Sequence, residues 1–195
     1  PNLWEEVIDI ANESDAVINF AYDWLPLWLT KTQSIKIFHL ISMGAESIII
    51  KETISEISEL FPFQLAFHTK RQSNDYSLKK EPIIVGNGFD MDDYLFNKNE
   101  NGPLGWAGRI APEKGLEDAV KVANDLGEKL LVWGLIEDKE YASKIENTFT
   151  KEIVEWKGFL PTKKFQEQLG LCRALINTPK WNEAYGNVIA EAMAC

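Results

Sequence analysis

The chain has 195 residues, a net charge of −10 and 45% hydrophobic residues. That composition supports one large or two modest packed domains and excludes a disordered chain. The acidic balance excludes a nucleic-acid partner, which would need clustered Lys and Arg. Only Cys172 and Cys195 occur, with no metal-ligand spacing, which fits a reducing, cytoplasmic compartment without disulfides. No apolar run approaches the roughly 18 residues of a transmembrane segment; the best candidate, Ala16–Leu29, is interrupted by Asp23 and Pro26.

Short apolar runs alternate with amphipathic stretches along the whole chain. Ala16–Asn19, Ile35–Leu40, Gln64–His68 and Ile83–Val85 read as buried parallel strands, with helices at Leu3–Asn12, Tyr22–Leu29 and Ala45–Leu60. Gly86-Asn-Gly88 then breaks the rhythm, and the polar stretch Asn97–Pro103 marks a boundary between domains at 1–99 and 100–195. A second series follows, with strands at Leu104–Ala107, Leu130–Trp133, Ile153–Trp156 and Ala174–Asn177. Its helices fall at Leu116–Leu126, Lys139–Phe149, Thr162–Leu169 and from Asn187 to the end. The fold class implied is α/β: two Rossmann-like domains, each with a parallel sheet flanked by helices.

Two segments carry the chemistry. In Gly105-Trp-Ala-Gly108-Arg109-Ile-Ala-Pro-Glu-Lys114-Gly115 a strand ends at glycine and two cations follow before a helix. In an open α/β sheet, ligands bind beyond the carboxyl ends of strands, so Arg109 and Lys114 are placed to meet a phosphate there. Two surface cations closing a loop satisfy the same spacing equally well. In Glu183-Ala-Tyr-Gly-Asn-Val-Ile-Ala-Glu191 two carboxylates flank a Gly-Asn turn that opens an apolar helix, with Asn187 as its expected cap. A helix start suits a phosphate, and ionised carboxylates accept from hydroxyls. Alone, Glu191 reads as a helix-start stabiliser. Together, cations and carboxylates describe a site for a nucleotide sugar.

Arg109, Lys114 and the Glu183-x7-Glu191-Ala-Met-Ala-Cys segment resemble the retaining glycosyltransferases of family 4, which have the GT-B architecture of two Rossmann-like domains. Val154-Glu-Trp-Lys-Gly158 and Leu175-Ile-Asn-Thr-Pro-Lys fit the same family rhythm. Asn19-Phe-Ala-Tyr-Asp-Trp-Leu-Pro, His39-Leu-Ile-Ser-Met-Gly44 and Thr178-Pro-Lys-Trp narrow the resemblance to cyanobacterial UDP-glucose:tetrahydrobiopterin glucosyltransferases. Both domains then look incomplete: the family's N-terminal strand and Gly-rich loop are missing, and the sequence stops before the Gly-x-Pro that follows Ala-Cys in the family.

The resemblance implies that Arg109 and Lys114 hold the donor diphosphate and that Glu191 takes the ribose hydroxyls. Glu183 then takes the sugar hydroxyls, and the backbone of Gly186, Asn187 and Val188 touches the sugar and distal phosphate. The loop after Gly158 passes near the base. His39 faces the donor sugar; from the residues alone it reads equally as a hydrogen-bonded core histidine, and His68 reads as structural. The implied reaction moves glucose from UDP-glucose to a small acceptor, a pterin or a sugar, with no protein nucleophile, no cofactor and no metal.

Other readings stay open. The alternatives are a sugar or lipid acceptor within the same family, and a nucleotide-sugar-binding module without catalysis. Gly86-Asn-Gly88 is a weak hint of a nicotinamide site, lacking the third glycine. Asp90-Met-Asp92-Asp93 has the composition of a metal site but reads as helix capping and solvation. Tyr22, Asp23, Trp24 and the Ser42–Gly44 loop are expected near the acceptor, although core packing accounts more simply for Trp24 and Trp28.

Overall fold

The computed structural model describes residues 3–98, 101–149 and 152–195. The chain forms two compact units: residues up to Gly88 with Asn182–Tyr185, and Phe89–Trp181 with Gly186–Cys195. The division falls at the Gly86-Asn-Gly88 turn, ahead of the polar stretch expected to mark it; positions 99 and 100 of that stretch lie outside the described residues.

In the first unit, β1 (Val17–Asn19), β2 (Ile37–Ile41), β3 (Leu65–Phe67) and β4 (Ile83–Ile84) form a parallel sheet in the order β1-β2-β3-β4. α1 (Leu3–Asn12) precedes β1, and α2 (Trp24–Thr32), α3 (Ile48–Leu60) and the one-turn α4 (Lys70–Asn74) connect the strands. Leu27 of α2 and Ile54 and Ile57 of α3 pack on Ile41, Leu65 and Phe67. Side-chain caps set the helix starts: Asp23 accepts from Leu25 N–H, and Ser47 accepts from Ile50 N–H. Both helices therefore begin two or three residues later than their apolar patterns propose.

Tyr22 is tied to the Ser42–Gly44 loop: its hydroxyl donates to the Gly44 carbonyl at 2.9 Å. Trp24 and Trp28 are not core. They stack at 5.8 Å between centroids and stay 44% and 39% exposed.

In the second unit, β5 (Leu104–Ala107), β6 (Leu130–Trp133), β7 (Val154–Gly158) and β8 (Ala174–Leu175) form a parallel sheet in the order β7-β6-β5-β8. Its helices are α5 (Leu116–Leu126), α6 (Lys139–Thr148), α7 (Thr162–Leu169) and α8 (Asn187–Ala194). Leu116, Ala119, Val120 and Ala123 recur at helical spacing and turn one buried stripe of α5 onto Leu104, Trp106, Leu130 and Val132. Asp138 caps α6 by accepting from Tyr141 N–H at 2.9 Å. Asp138→Ala should lower unfolding stability by about 1 kcal/mol in chemical denaturation, the usual loss for such a cap.

Two glycines let loops approach more closely than a side chain permits. At Gly134 (φ 143°) a Cβ would run into the Gly108 carbonyl, and at Gly115 (φ 63°) into the Thr178 carbonyl. The first closes the β5 and β6 ends together. The second seats the loop after β8 on the loop after β5. Among the described residues, no helix is long and apolar enough to cross a membrane.

Candidate functional site

A cleft of about 290 Å³ opens at the carboxyl ends of β5, β6 and β7 in the second unit. Gly108 and Arg109 form one side, Trp133 and Gly134 the floor edge, and Phe159, Leu160 and Phe165 an apolar wall. Val188 and Glu191 of α8 complete it. A mostly apolar hollow with a few converging charges is what a small-molecule site requires.

Arg109 leaves β5 immediately after the tight Gly108 turn. Its Nη1 pairs with Glu137 at 2.6 Å and its Nη2 with Glu113 at 3.0 Å. Its guanidinium carbon also lies 5.7 Å from the centre of the Trp181 ring. Lys114 ends a single 3-10 turn, Pro112–Lys114, and its ammonium lies 4.6 Å from the same ring. The two expected cations are thus brought to one indole. An anion binding at Arg109 must share that group with two carboxylates or displace them.

Helix α8 starts from Gly186, which takes the left-handed conformation at φ 88° and is its N-cap. Asn187 is not the cap: it is the first helical residue, and no side chain caps this helix. Ile189 N–H closes back onto the Gly186 carbonyl at 3.0 Å. The start of α8 therefore presents backbone N–H groups rather than a side-chain cap. Glu191 lies just beyond the first turn, half-buried, and burial holds its carboxyl above the ordinary carboxylate range.

Glu183 and His39 fall in the other unit. Glu183 belongs to the Asn182–Tyr185 segment, which is held there by Asn182 donating to Asp75 at 2.9 Å and by Thr69 donating to the Ala184 carbonyl at 3.0 Å. His39 is only 1% exposed, in the middle of β2. Its Nδ1 meets Asn19 Nδ2 at 3.0 Å and its Nε2 meets Thr30 Oγ1 at 2.7 Å. Burial lowers its pKa to about 4, so the ring is neutral near neutrality. That geometry describes the hydrogen-bonded core histidine, because neither ring nitrogen is left to face a ligand. His68, read as structural, lies past the carboxyl end of β3, bonded to Ser42 Oγ and the Gly86 carbonyl.

Asp90 accepts from Asp92 N–H at 3.2 Å and so caps a short 3-10 turn. Among the described residues, no cluster of three or more His, Cys, Asp or Glu side chains is placed to hold a metal. Sequence reasoning missed Trp133, Phe165 and Trp181. Trp133 ends an apolar run indistinguishable from core, and Phe165 is a lone aromatic in the polar helix α7; Trp181, an isolated aromatic in a polar loop, was the readable signal.

The sequence profile of the family described as Glycosyl transferases group 1 matches residues 92–195. The chain belongs to this family. No curated protein sequence matches it significantly. Among solved structures it is similar to AviGT4, a glycosyltransferase involved in avilamycin A biosynthesis, with TM-score 0.66, 16% identity, 81% of this chain and 47% of that one. It is similar to TarM at TM-score 0.68 and 19% identity over 83% of this chain and 35% of that one. WaaG, a glycosyltransferase involved in lipopolysaccharide biosynthesis, aligns at TM-score 0.58 and 15% identity over 89% and 60% of the two chains. At these identities the likeness is one of fold: α/β, with two parallel-sheet Rossmann-like units of the GT-B type. This group 1 glycosyltransferase chain spans between 35% and 60% of the lengths of those three structures.

Proposed function

We propose that this chain serves a retaining glycosyltransferase that moves a hexose, glucose, from a UDP-sugar to a small acceptor, with tetrahydrobiopterin as the acceptor we favour. The observation that carries this reading is the cleft where Arg109 and Glu191 share apolar walls. A nucleoside diphosphate presents the matching pattern: a flat base for the aromatic wall, ribose hydroxyls for a carboxylate and a diphosphate for cations.

As the glycosidic bond breaks, negative charge grows on the leaving diphosphate. Arg109, Lys114 and the backbone of Gly186, Asn187 and Val188 are assigned to meet that charge, in an environment that needs little reorganisation. Glu183 takes the donor sugar's hydroxyls. No protein nucleophile, cofactor or metal is assigned, and His39 supports the β2 frame rather than touching the sugar. The exposed Trp24–Trp28 stack favours a flat heterocycle as acceptor over a lipid. A cytoplasmic location accords with two unpaired cysteines.

Calorimetry with uridine, UDP and UDP-glucose, followed by a mass-spectrometric screen of pterin, sugar and lipid acceptors, tests the assignment. Tight UDP binding without transfer to any acceptor would leave a non-catalytic nucleotide-sugar-binding module. Binding of neither UDP nor uridine would remove the nucleotide reading. Glu191 has its own signature. A ribose hydroxyl donates more strongly to the ionised carboxylate than to the neutral acid, so uridine affinity should be greatest well above the Glu191 pKa and fall as pH drops through it. Because burial raises that pKa, the fall begins above the pH that an ordinary value of 4.5 would give. Glu191→Gln should weaken uridine about tenfold at neutral pH and flatten the profile.

A further inference from the structure

We infer that Trp181 is the positioning residue that aligns Arg109 and Lys114 for a diphosphate, an inference that rests on the nucleotide reading above. Both side chains have many rotamers, and the Trp181 ring gives the two a common platform beside the carboxylates that pair with Arg109. It sits 5.7 Å from the Arg109 guanidinium carbon and 4.6 Å from the Lys114 ammonium, within reach of a cation–π attraction to each.

The loop that carries the ring is held by backbone and side-chain bonds. Lys180 N–H donates to the Glu113 carbonyl at 2.8 Å, and Thr178 Oγ1 donates to the Gly115 carbonyl at 2.7 Å. Lys180 Nζ pairs with Glu117 and lies 3.7 Å from Asp118. The loop that bears Trp181 is therefore tied to the loop that bears both cations. The Trp181 Nε1–H is buried and makes no hydrogen bond among the described residues, so the ring acts through its face rather than its donor. A platform of this kind orders the cations before an anion arrives, which lowers the entropy lost on binding.

Calorimetry of the chain with inorganic diphosphate, UDP and uridine tests the role. Trp181→Leu should weaken diphosphate and UDP about tenfold while leaving uridine within about twofold, because uridine carries no phosphate. Trp181→Phe should fall between the two, within about threefold of the parent, because it keeps a weaker π face. If the leucine variant fails to fold, the Trp, Tyr and Phe series carries the test through a graded loss of diphosphate affinity at constant uridine affinity. Equal losses for UDP and uridine, or no grading, would overturn the inference. A parent chain that binds uridine and UDP but is indifferent to residue 181 removes this inference alone. A parent that binds neither removes the nucleotide reading and this inference together.

Discussion

Arg109→Ala should weaken UDP binding by about 10- to 100-fold, the span set by the 1.5–3 kcal/mol of a charge-assisted hydrogen bond. The upper end is expected here because of what Arg109 leaves behind. In the native chain its terminal nitrogens hold Glu137 at 2.6 Å and Glu113 at 3.0 Å. Without the guanidinium, two carboxylates stand unneutralised beside the incoming diphosphate, on a chain that already carries a net charge of −10. Uridine should lose far less, since the proposed function gives its ribose to Glu191 and its base to the apolar wall.

Arg109→Lys separates charge from geometry. A lysine restores one positive charge but not the planar fork that engages two carboxylates at once, so it should recover only part of the affinity. Added salt should narrow the gap between parent and alanine variant, because the site is partly exposed and its long-range term is screened. Titration by calorimetry at two ionic strengths gives all of these values. Unchanged UDP affinity in Arg109→Ala would end the assignment of this cleft to a diphosphate.

The strands were legible as short apolar runs bounded by polar residues, although the run Ile48–Ile50 became the start of α3 and both residues of β4 are exposed. Helix α5 was legible to the residue, since Leu116, Ala119, Val120 and Ala123 repeat at one spacing before Gly127 ends it. Caps were less so. Asp23 and Ser47 trim α2 and α3, and a left-handed Gly186 displaces Asn187 as the cap of α8. Each is a local competition between a side chain and the backbone that periodicity does not record. Helix α4 escaped because one turn has no period to read.

Within the site, Arg109 and Glu191 were legible from their places after a strand and in a helix start, and both line the cleft. Lys114 follows through Trp181. Of the partners of Arg109, Glu113 is four residues on in the same segment, whereas Glu137 was not legible, because it lies 28 residues away in the next strand's loop. The two histidines show the same limit. Each belongs to or follows an apolar strand, and only the three-dimensional position of Thr30 and Asn19 buries one while the other stays at the sheet edge.

That burial has a measurable consequence. His39 has a folded pKa of about 4 against 6.5 unperturbed, because desolvation penalises the imidazolium. The folded pKa is depressed, so the contribution is fully present above pH 6.5 and is lost as pH falls toward 4. The unfolded chain takes up the proton first across that window, and linkage converts the difference to roughly 3 kcal/mol of lost stability. Urea unfolding at pH 7.5 and pH 4.5 should show most of that loss in the parent chain. His39→Gln, which keeps polar atoms near Asn19 and Thr30 but cannot titrate, should be less stable at pH 7.5 and lose less on acidification. Carboxylates such as Glu117 add a separate loss: burial raises its pKa, but hydrogen bonds from Lys180 and Tyr141 outweigh that and hold it below the ordinary range. Its contribution disappears only at lower pH, so the difference between parent and glutamine variant isolates the histidine. An equal acid-induced loss in both would show that His39 is solvated or charged in the folded chain, and would reopen its role at the sugar.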